Sequence, residues 1–237
     1  MLTIPLTSPV TAGVAASSVR PGEPGTILRY MHQFQQEFMA HRQLNLDFVG
    51  QPEDRYAQAI RYAARTMATS RPRKIENRPV IFHTLRTALY LVKYGLKDET
   101  LLLAAILHDS IEDGEATAEE IECYFGPDVA SLVVGATEED KSVDWELRKQ
   151  RNLDILRKAT EAQVLLAAAD KLDGVTMLLT AYDQQGAAVW NFFKRSREEL
   201  LAYHSRRAAV FVKRMNGQNQ ELVLALLDAE NRLKQCQ

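Results

Sequence analysis

The sequence predicts an all-α protein, a single helical bundle with extra helices at both ends. Apolar residues recur every three or four positions along most of the chain, as the buried face of a helix requires. No segment shows the strict alternation that is typical of a β-strand. The chain has 237 residues, of which 46% are hydrophobic, so it is long enough to form one domain with a substantial core.

The first residues are predicted to lie outside that bundle. They carry no charged side chain before Arg20, and Pro5 and Pro9 interrupt their apolar run. Because a secretory signal needs a basic start followed by an unbroken apolar segment, we interpret residues 1–25 as a flexible tail. The predicted domain spans residues 26–237.

Two apolar stripes at helical spacing predict the first two helices. They consist of Ile27, Tyr30, Met31, Phe34 and Phe38, and of Tyr56, Ile60, Ala63 and Met67. Residues 71–79, which contain prolines at both ends and have no apolar period, predict a loop. A helix is expected at residues 80–94, with Gly95 as the residue that ends it.

The next helix is expected at residues 98–113, with Asp98 as its N-cap. Thr117 and Glu120 form the T-x-x-E pattern of a capping box, and Gly126 should end the helix that this box begins. The remaining helices are predicted at about residues 127–136, 145–159, 161–180, 195–215 and 219–235.

Charge and composition exclude several classes of protein. The net charge is −2 and the isoelectric point is about 6.2, so we expect no DNA or RNA partner. No segment has about 18 consecutive apolar residues, so no membrane partner is expected. The two cysteines, Cys123 and Cys236, lie far apart in sequence. They predict no disulfide framework, and the cytoplasm is the expected location.

Polar residues at the end of a strongly apolar run indicate a functional site. His108 and Asp109 directly follow LLLAAIL, and Glu112 and Asp113 come three residues later. On a helix spanning residues 98–113, His108 and Glu112 would lie on one face, as would Asp109 and Asp113. Buried charges are costly unless they are paired or bound to metal, so this segment predicts a metal site.

Two further residues complete the candidate metal set. His83 would come from the preceding helix, and Asp170 follows the apolar segment VLLAAA. With His108 and Asp109 they offer two imidazoles and two carboxylates, which suit Mn²⁺ or a similar ion. Each residue alone could be structural, but their combination predicts a metal-dependent phosphohydrolase.

The order His, His-Asp, Glu-Asp and Asp resembles the HD-domain superfamily. The segments RPRKIENRPVIFHTL, LLLAAILHDSIEDGE and LAAADKLDG resemble, more narrowly, the hydrolase domain of RelA/SpoT enzymes and small alarmone hydrolases, over about residues 62–203. The resemblance implies that Mn²⁺, or another divalent transition metal, assists removal of the 3′-pyrophosphate of (p)ppGpp, giving GDP or GTP and pyrophosphate.

The resemblance also implies roles for individual residues. The metal ligands would be His83, His108, Asp109 and Asp170. The catalytic residues Glu112 and Asp113 would order and activate the attacking water. Because a pyrophosphate requires cations, the candidate substrate-binding residues are Arg73, Lys74, Lys141, Arg148 and Lys171. We interpret Arg78 and Lys149 as solvated side chains.

Several departures from the family pattern concern substrate recognition and loop geometry. Gly174 stands where the family has an asparagine that contacts the nucleotide sugar, and Gly114 stands where it has a threonine. The loop at residues 71–79 is one residue longer and lacks the family glycine.

Two alternative functions therefore stay open. One is an HD phosphohydrolase for another nucleotide, such as NADPH or a nucleoside monophosphate. The other is a non-catalytic metal- and nucleotide-binding module, which the intact Glu112–Asp113 pair disfavours.

Overall fold

The computed structural model describes residue 23 and residues 25–41, 54–138, 142–217 and 219–237. Within these residues the protein is all-α and has no β-strand, which confirms the predicted class. Most of the predicted tail at residues 1–25 lies outside the described residues, so the tail stays a prediction. Lys141 also lies outside them.

The helices follow the predicted order closely. They are α1 (Gly25–His41), α2 (Arg55–Thr66), α3 (Ile81–Lys93), α4 (Glu99–Leu107), α5 (Ala118–Phe125), α6 (Pro127–Ala136), α7 (Trp145–Lys158), α8 (Glu161–Gln185), α9 (Arg197–Arg214) and α10 (Gln220–Gln235). A 3₁₀ helix at Gly186–Phe192, which the sequence did not predict, follows α8. None of the described helices is long and apolar enough to cross a membrane.

The predicted caps are confirmed. The Asp98 carboxylate accepts a hydrogen bond from the Leu101 amide at 2.9 Å. Thr117 and Glu120 make both hydrogen bonds of a capping box at the start of α5. Gly95 has a φ of 78° just after α3, a left-handed conformation that glycine adopts without steric cost.

The predicted helix at residues 98–113 is wrong over its last six residues. Helix α4 ends at Leu107, and the chain from His108 to Asp113 forms turns. The Ser110 amide donates to the Leu107 carbonyl at 2.8 Å, three residues back instead of four. The catalytic candidates therefore lie on a tight turn that follows the helix.

Close approach of α2 explains this turn. The Glu115 amide donates to the Thr66 carbonyl at 3.0 Å. A Cβ atom at Gly114 would lie 2.5 Å from the Ser110 oxygen and 3.0 Å from the Thr66 oxygen. Any side chain there would force the two backbones apart, so the glycine that replaces the family threonine lets the turn pack against α2.

Helix α8 lies at the centre of the bundle and carries the metal-ligand candidate Asp170. It packs against α3, α4, α6, α9 and α10. Helix α4 is also enclosed, since every residue from Leu101 to Leu107 is buried. Burying each leucine contributes about 1.5–3 kcal/mol, so α4 is held firmly and His108, which follows it, has a fixed position.

Candidate metal centre

The structure brings the four predicted metal ligands together from three parts of the chain. His83 lies on α3, Asp170 on α8, and His108 and Asp109 directly after α4. His83 Nε2 is 3.1 Å from Asp170 Oδ1 and 3.7 Å from Asp109 Oδ2. His108 Nε2 is 3.2 Å from Asp109 Oδ1 and 4.0 Å from Asp170 Oδ1. One ion bonded at about 2.1 Å to each ligand needs donor atoms at such separations.

The two ring nitrogens of His108 have different surroundings. Nδ1 donates to the Ala105 carbonyl at 2.9 Å, which leaves Nε2 with its lone pair. Nε2 is buried and makes no hydrogen bond. A buried polar atom without a partner costs about 1–3 kcal/mol, and a bound cation would remove that cost. His83, His108 and Asp170 can offer donor atoms that all lie within 4.8 Å of one another, so the residues fit a divalent metal ion.

A second set of residues, which the sequence analysis missed, orients His83. Its Nδ1 donates to Asp173 Oδ2 at 2.6 Å. Asp173 is fully buried and accepts from Arg86 Nε at 2.6 Å, while Arg86 also pairs with Glu76 at 2.7 Å. A carboxylate behind a histidine ligand fixes its tautomer and makes it a better donor. The spacing offered a signal, because Asp173 lies one helical turn after Asp170.

The charges of this cluster are strongly coupled. Burial and Arg73 disfavour the charged form of His83, but hydrogen bonds to Asp170 and Asp173 outweigh them and raise its pKa to about 9. Burial opposes ionisation of Asp173, yet Arg86 and His83 lower its pKa to about 2. Lys171 and His83 likewise hold the pKa of Asp170 well below its usual value despite burial. Ionised carboxylates at this position favour a cation between the imidazoles.

Glu112 and Asp113 lie on the turn after His108 and line the same cavity as the metal candidates. Glu112 Oε2 accepts a hydrogen bond from the Glu138 amide at 3.0 Å, which orients the carboxylate. Asp113 is more exposed, and its carbonyl oxygen accepts a hydrogen bond from the Ser70 hydroxyl. Both residues thus border the cavity that the metal candidates line.

The cavity at this site has a volume of about 210 Å³ and is lined by charged and polar side chains. Of the predicted substrate-binding residues, Arg73 and Lys171 line it. Arg73 Nη1 is 3.8 Å from Asp109 Oδ2, and Lys171 Nζ is 2.6 Å from Asp170 Oδ2. These two cations lie beside the metal candidates, where they can offset phosphate charge.

The other predicted cations are placed differently. Lys74 is exposed and does not line the cavity, and neither does Arg148, which pairs with Glu138 at 3.1 Å. Lys149 does line it and pairs with the same Glu138 oxygen at 2.6 Å, so its interpretation as a solvated side chain is wrong. Its Nζ also lies 5.5 Å from the ring centre of Tyr203.

The loop at residues 71–79 contains an asparagine in a left-handed conformation. The Arg73 amide donates to the Arg78 carbonyl at 3.0 Å, and the Asn77 amide donates to the Arg73 carbonyl at 2.8 Å. Asn77 has a φ of 50°, a conformation that asparagine tolerates better than most residues. The longer loop therefore closes tightly and holds Arg73 at the cavity.

Gly174 lies one turn after Asp170 on α8, on the same face. A Cβ atom added there would meet no atom within 4 Å. Packing therefore does not require a glycine at this position, unlike at Gly114. Where the family has an asparagine side chain, this chain has open space.

A helical bundle that surrounds two histidines and two aspartates in this order is the arrangement of an HD domain. The family model for the HD domain matches residues 59–199, which is more than half of the chain. The chain therefore belongs to the HD-domain family. Its metal site is the divalent metal site expected of that family.

Within the family, the chain is similar to named guanosine-3′,5′-bis(diphosphate) 3′-pyrophosphohydrolases. It is 34% identical to the Drosophila melanogaster enzyme MESH1 over 125 residues, which cover 52% of this chain and 69% of that protein. It is 30% identical to Homo sapiens MESH1 over 170 residues, covering 71% and 89% respectively. The solved structure of a metazoan SpoT ortholog, described as hydrolysing ppGpp, has a TM-score of 0.64 and 27% identity, covering 77% of this chain and 97% of that one.

Proposed function

We propose that this protein hydrolyses the 3′-pyrophosphate of (p)ppGpp to GDP or GTP and pyrophosphate, with Mn²⁺ bound by His83, His108, Asp109 and Asp170. One observation carries the proposal. The buried Nε2 of His108 has no hydrogen-bond partner and belongs to a cluster with a second imidazole and two carboxylates. The named activity of the relatives supplies the substrate class.

The mixture of nitrogen and oxygen donors suits Mn²⁺. Such an ion, when bound, lowers the pKa of a water ligand and neutralises charge on phosphoryl oxygens. Asp173 would keep the His83 ring in position while the ligands hold the ion.

The carboxylates on the turn after α4 would carry the proton chemistry. Water forms a bond to the phosphorus that is attached to the ribose 3′ oxygen, and the bond between that phosphorus and the 3′ oxygen breaks. Glu112, oriented by the Glu138 amide, and Asp113 would order the water and accept its proton. The 3′ oxygen leaves as a hydroxyl group once it has gained a proton.

The cations around the cavity would hold the phosphates. Arg73 and Lys171 are close to the metal candidates, and Lys149 lines the same cavity beside Glu138. Charge-assisted hydrogen bonds of this type are shorter and stronger than neutral ones. They would keep the pyrophosphate in line for attack by water.

A panel of phosphorylated nucleotides tests the proposal. Protein loaded with Mn²⁺ is incubated with ppGpp, pppGpp, NADPH and nucleoside monophosphates, and the products are separated by chromatography. We expect loss of ppGpp with equal amounts of GDP and pyrophosphate. An Asp109→Ala preparation measures background hydrolysis. Intact ppGpp in the presence of fully loaded wild-type protein would refute the proposed substrate.

A second candidate is an HD phosphohydrolase that acts on another nucleotide. Gly174 favours it, because glycine cannot make the sugar contact that the family asparagine makes, and nothing else fills that space. The same panel distinguishes the two functions, since this candidate predicts hydrolysis of NADPH or a nucleoside monophosphate with ppGpp left intact.

A further inference from the structure

One wall of the cavity comes from a helix that extends beyond the family match. Helix α9 contributes Tyr203 and Arg207, and both lie outside residues 59–199. Arg207 also lines an adjoining cavity of about 110 Å³, which shares His108 and Asp170 with the first. Arg207 thus lies where the metal-centred cavity meets a second space.

The guanidinium of Arg207 is buried but incompletely paired. The residue is only 5% exposed. Its Nη2 donates to Glu230 Oε1 at 2.7 Å and to His204 Nδ1 at 3.3 Å, whereas its Nε has no hydrogen-bond partner. A buried N–H group without an acceptor is costly. Because Arg207 lines the cavity, a ligand oxygen there would be a further acceptor for the guanidinium.

Glu230 and Tyr203 hold this guanidinium in place. Glu230 lies on α10 and is 1% exposed, so it pairs with Arg207 in the interior of the bundle. The ring centre of Tyr203 is 5.4 Å from the Arg207 guanidinium carbon. An arginine fixed in this way loses little further freedom when it binds an anion.

A second cation shares the cavity with Arg207. Lys171 lines the same cavity as Arg207. Two positive charges that repel each other across one cavity are stabilised by an anion that contacts both. Lys171 lies beside the metal-ligand candidate Asp170 at 2.6 Å, whereas Arg207 is held by α10.

We propose that Arg207 is a specificity-determining residue that binds the distal phosphate of a pyrophosphoryl group whose proximal phosphate lies at the metal ligands. The planar guanidinium offers N–H groups in a fork that matches phosphate oxygens. In this arrangement, orthophosphate at the metal ligands would lack the second phosphate that Arg207 binds. The inference rests on the proposed function for its substrate class and adds the reason why a pyrophosphate is preferred to a monophosphate.

Anion binding tests this role without catalysis. Titration calorimetry measures the affinity of Mn²⁺-loaded protein for inorganic pyrophosphate and for orthophosphate. The wild-type protein should bind pyrophosphate at least about 10-fold more tightly. Arg207→Gln should weaken pyrophosphate binding by about 10- to 100-fold, as expected for a lost hydrogen bond to a charged group, and leave orthophosphate binding nearly unchanged. Arg206→Gln is the matched control, since the side chain of Arg206 is 39% exposed and pairs with Glu146, and Arg206 does not line the cavity.

A second variant tests whether a loss of pyrophosphate binding comes from misfolding. Arg207→Gln alone leaves Glu230 buried without its partner, which destabilises a fold. The double variant Arg207→Gln/Glu230→Gln removes both charges, and Glu230→Gln keeps the shape of its side chain. Selective loss of pyrophosphate affinity in this variant supports the role of Arg207. A preserved preference, or equal affinity of the wild-type protein for the two anions, overturns it.

Turnover distinguishes this inference from the proposed function. If the wild-type protein prefers pyrophosphate through Arg207 but leaves ppGpp intact, the proposed substrate is wrong and the anion site stands. If ppGpp is hydrolysed and Arg207→Gln raises neither the KM for ppGpp nor the Kd for pyrophosphate, the function stands and the role of Arg207 is wrong.

Discussion

Replacing Asp173 with asparagine should weaken metal binding although this residue is not a metal-ligand candidate. The Asp173→Asn side chain keeps its size, but it removes the charge that holds His83 at 2.6 Å and Arg86 at 2.6 Å. Loss of a carboxylate behind a histidine ligand lowers metal affinity or activity by about 10- to 100-fold. The Kd for Mn²⁺ should rise by that factor.

The same substitution should also destabilise the fold. Arg86 is mostly buried and would retain Glu76 as its charged partner among the residues that the structure describes. Removing one partner of a buried ion pair costs about 3–5 kcal/mol, and the remaining Glu76 contact places the expected loss near the lower end of that range. The free energy of unfolding, measured by urea titration in a chelator, should fall accordingly.

A matched control separates these effects from a general effect on α8. Asp183 lies on the same helix, is exposed and is far from the site, so Asp183→Asn should change neither the Kd for Mn²⁺ nor the stability. The reasoning is refuted if the Asp173→Asn protein, in which Arg86 and His83 are unchanged, binds Mn²⁺ with the affinity of the wild-type protein.

The remaining predictions concern the metal, the proton transfer and the sugar contact. Asp109→Ala should lose nearly all bound metal by elemental analysis, because one of four ligands is removed; full occupancy would contradict the ligand set. Glu112→Gln and Asp113→Asn should each lower kcat by about 10²- to 10⁴-fold with metal content retained; unchanged turnover in both would revive the binding-module hypothesis. Gly174→Asn should improve ppGpp turnover at low substrate concentration, with an upper limit of about 150-fold for one recovered hydrogen bond; no gain would mean that the sugar lies elsewhere.

The metal-ligand candidates could be predicted because charged residues are unusual at the end of a buried apolar segment. His108 and Asp109 follow seven consecutive buried residues, Leu101–Leu107, and a charge in that position is costly unless something binds it. Asp170 interrupts a similar apolar face on α8. The sequence pattern therefore indicated both the residues and the reason for their presence.

The end of α4 could not be predicted from local pattern. Residues 108–113 keep a spacing that fits a continued helix, but Gly114 and the Thr66 carbonyl lie close enough to require a turn. These atoms belong to segments more than 40 residues apart. Tertiary packing of this kind overrides a weak local preference, which is the usual limit of such predictions.

The choice between Arg148 and Lys149 depended on the orientation of α7. Adjacent residues on a helix point about 100° apart, and both side chains pair with the same Glu138 oxygen. Leu153 is buried and lies four residues after Lys149, on the same face. That spacing favoured an interior position for Lys149 over a solvated one, but it did not exclude Arg148.

The metal-ligand candidates are held in place differently from Gly174 and Arg207, the two positions proposed to affect substrate recognition. His83 and His108 are positioned by buried helices and by hydrogen bonds that leave one ring nitrogen for an ion. Gly174 has open space around it, and Arg207 lies on α9 beyond the last residue of the family match. Under the proposed roles, we expect substitutions at these two positions to alter the phosphates and sugar that are recognised without moving a metal ligand. The proposal thus assigns substrate identity to α8 and α9 more than to the HD residues themselves.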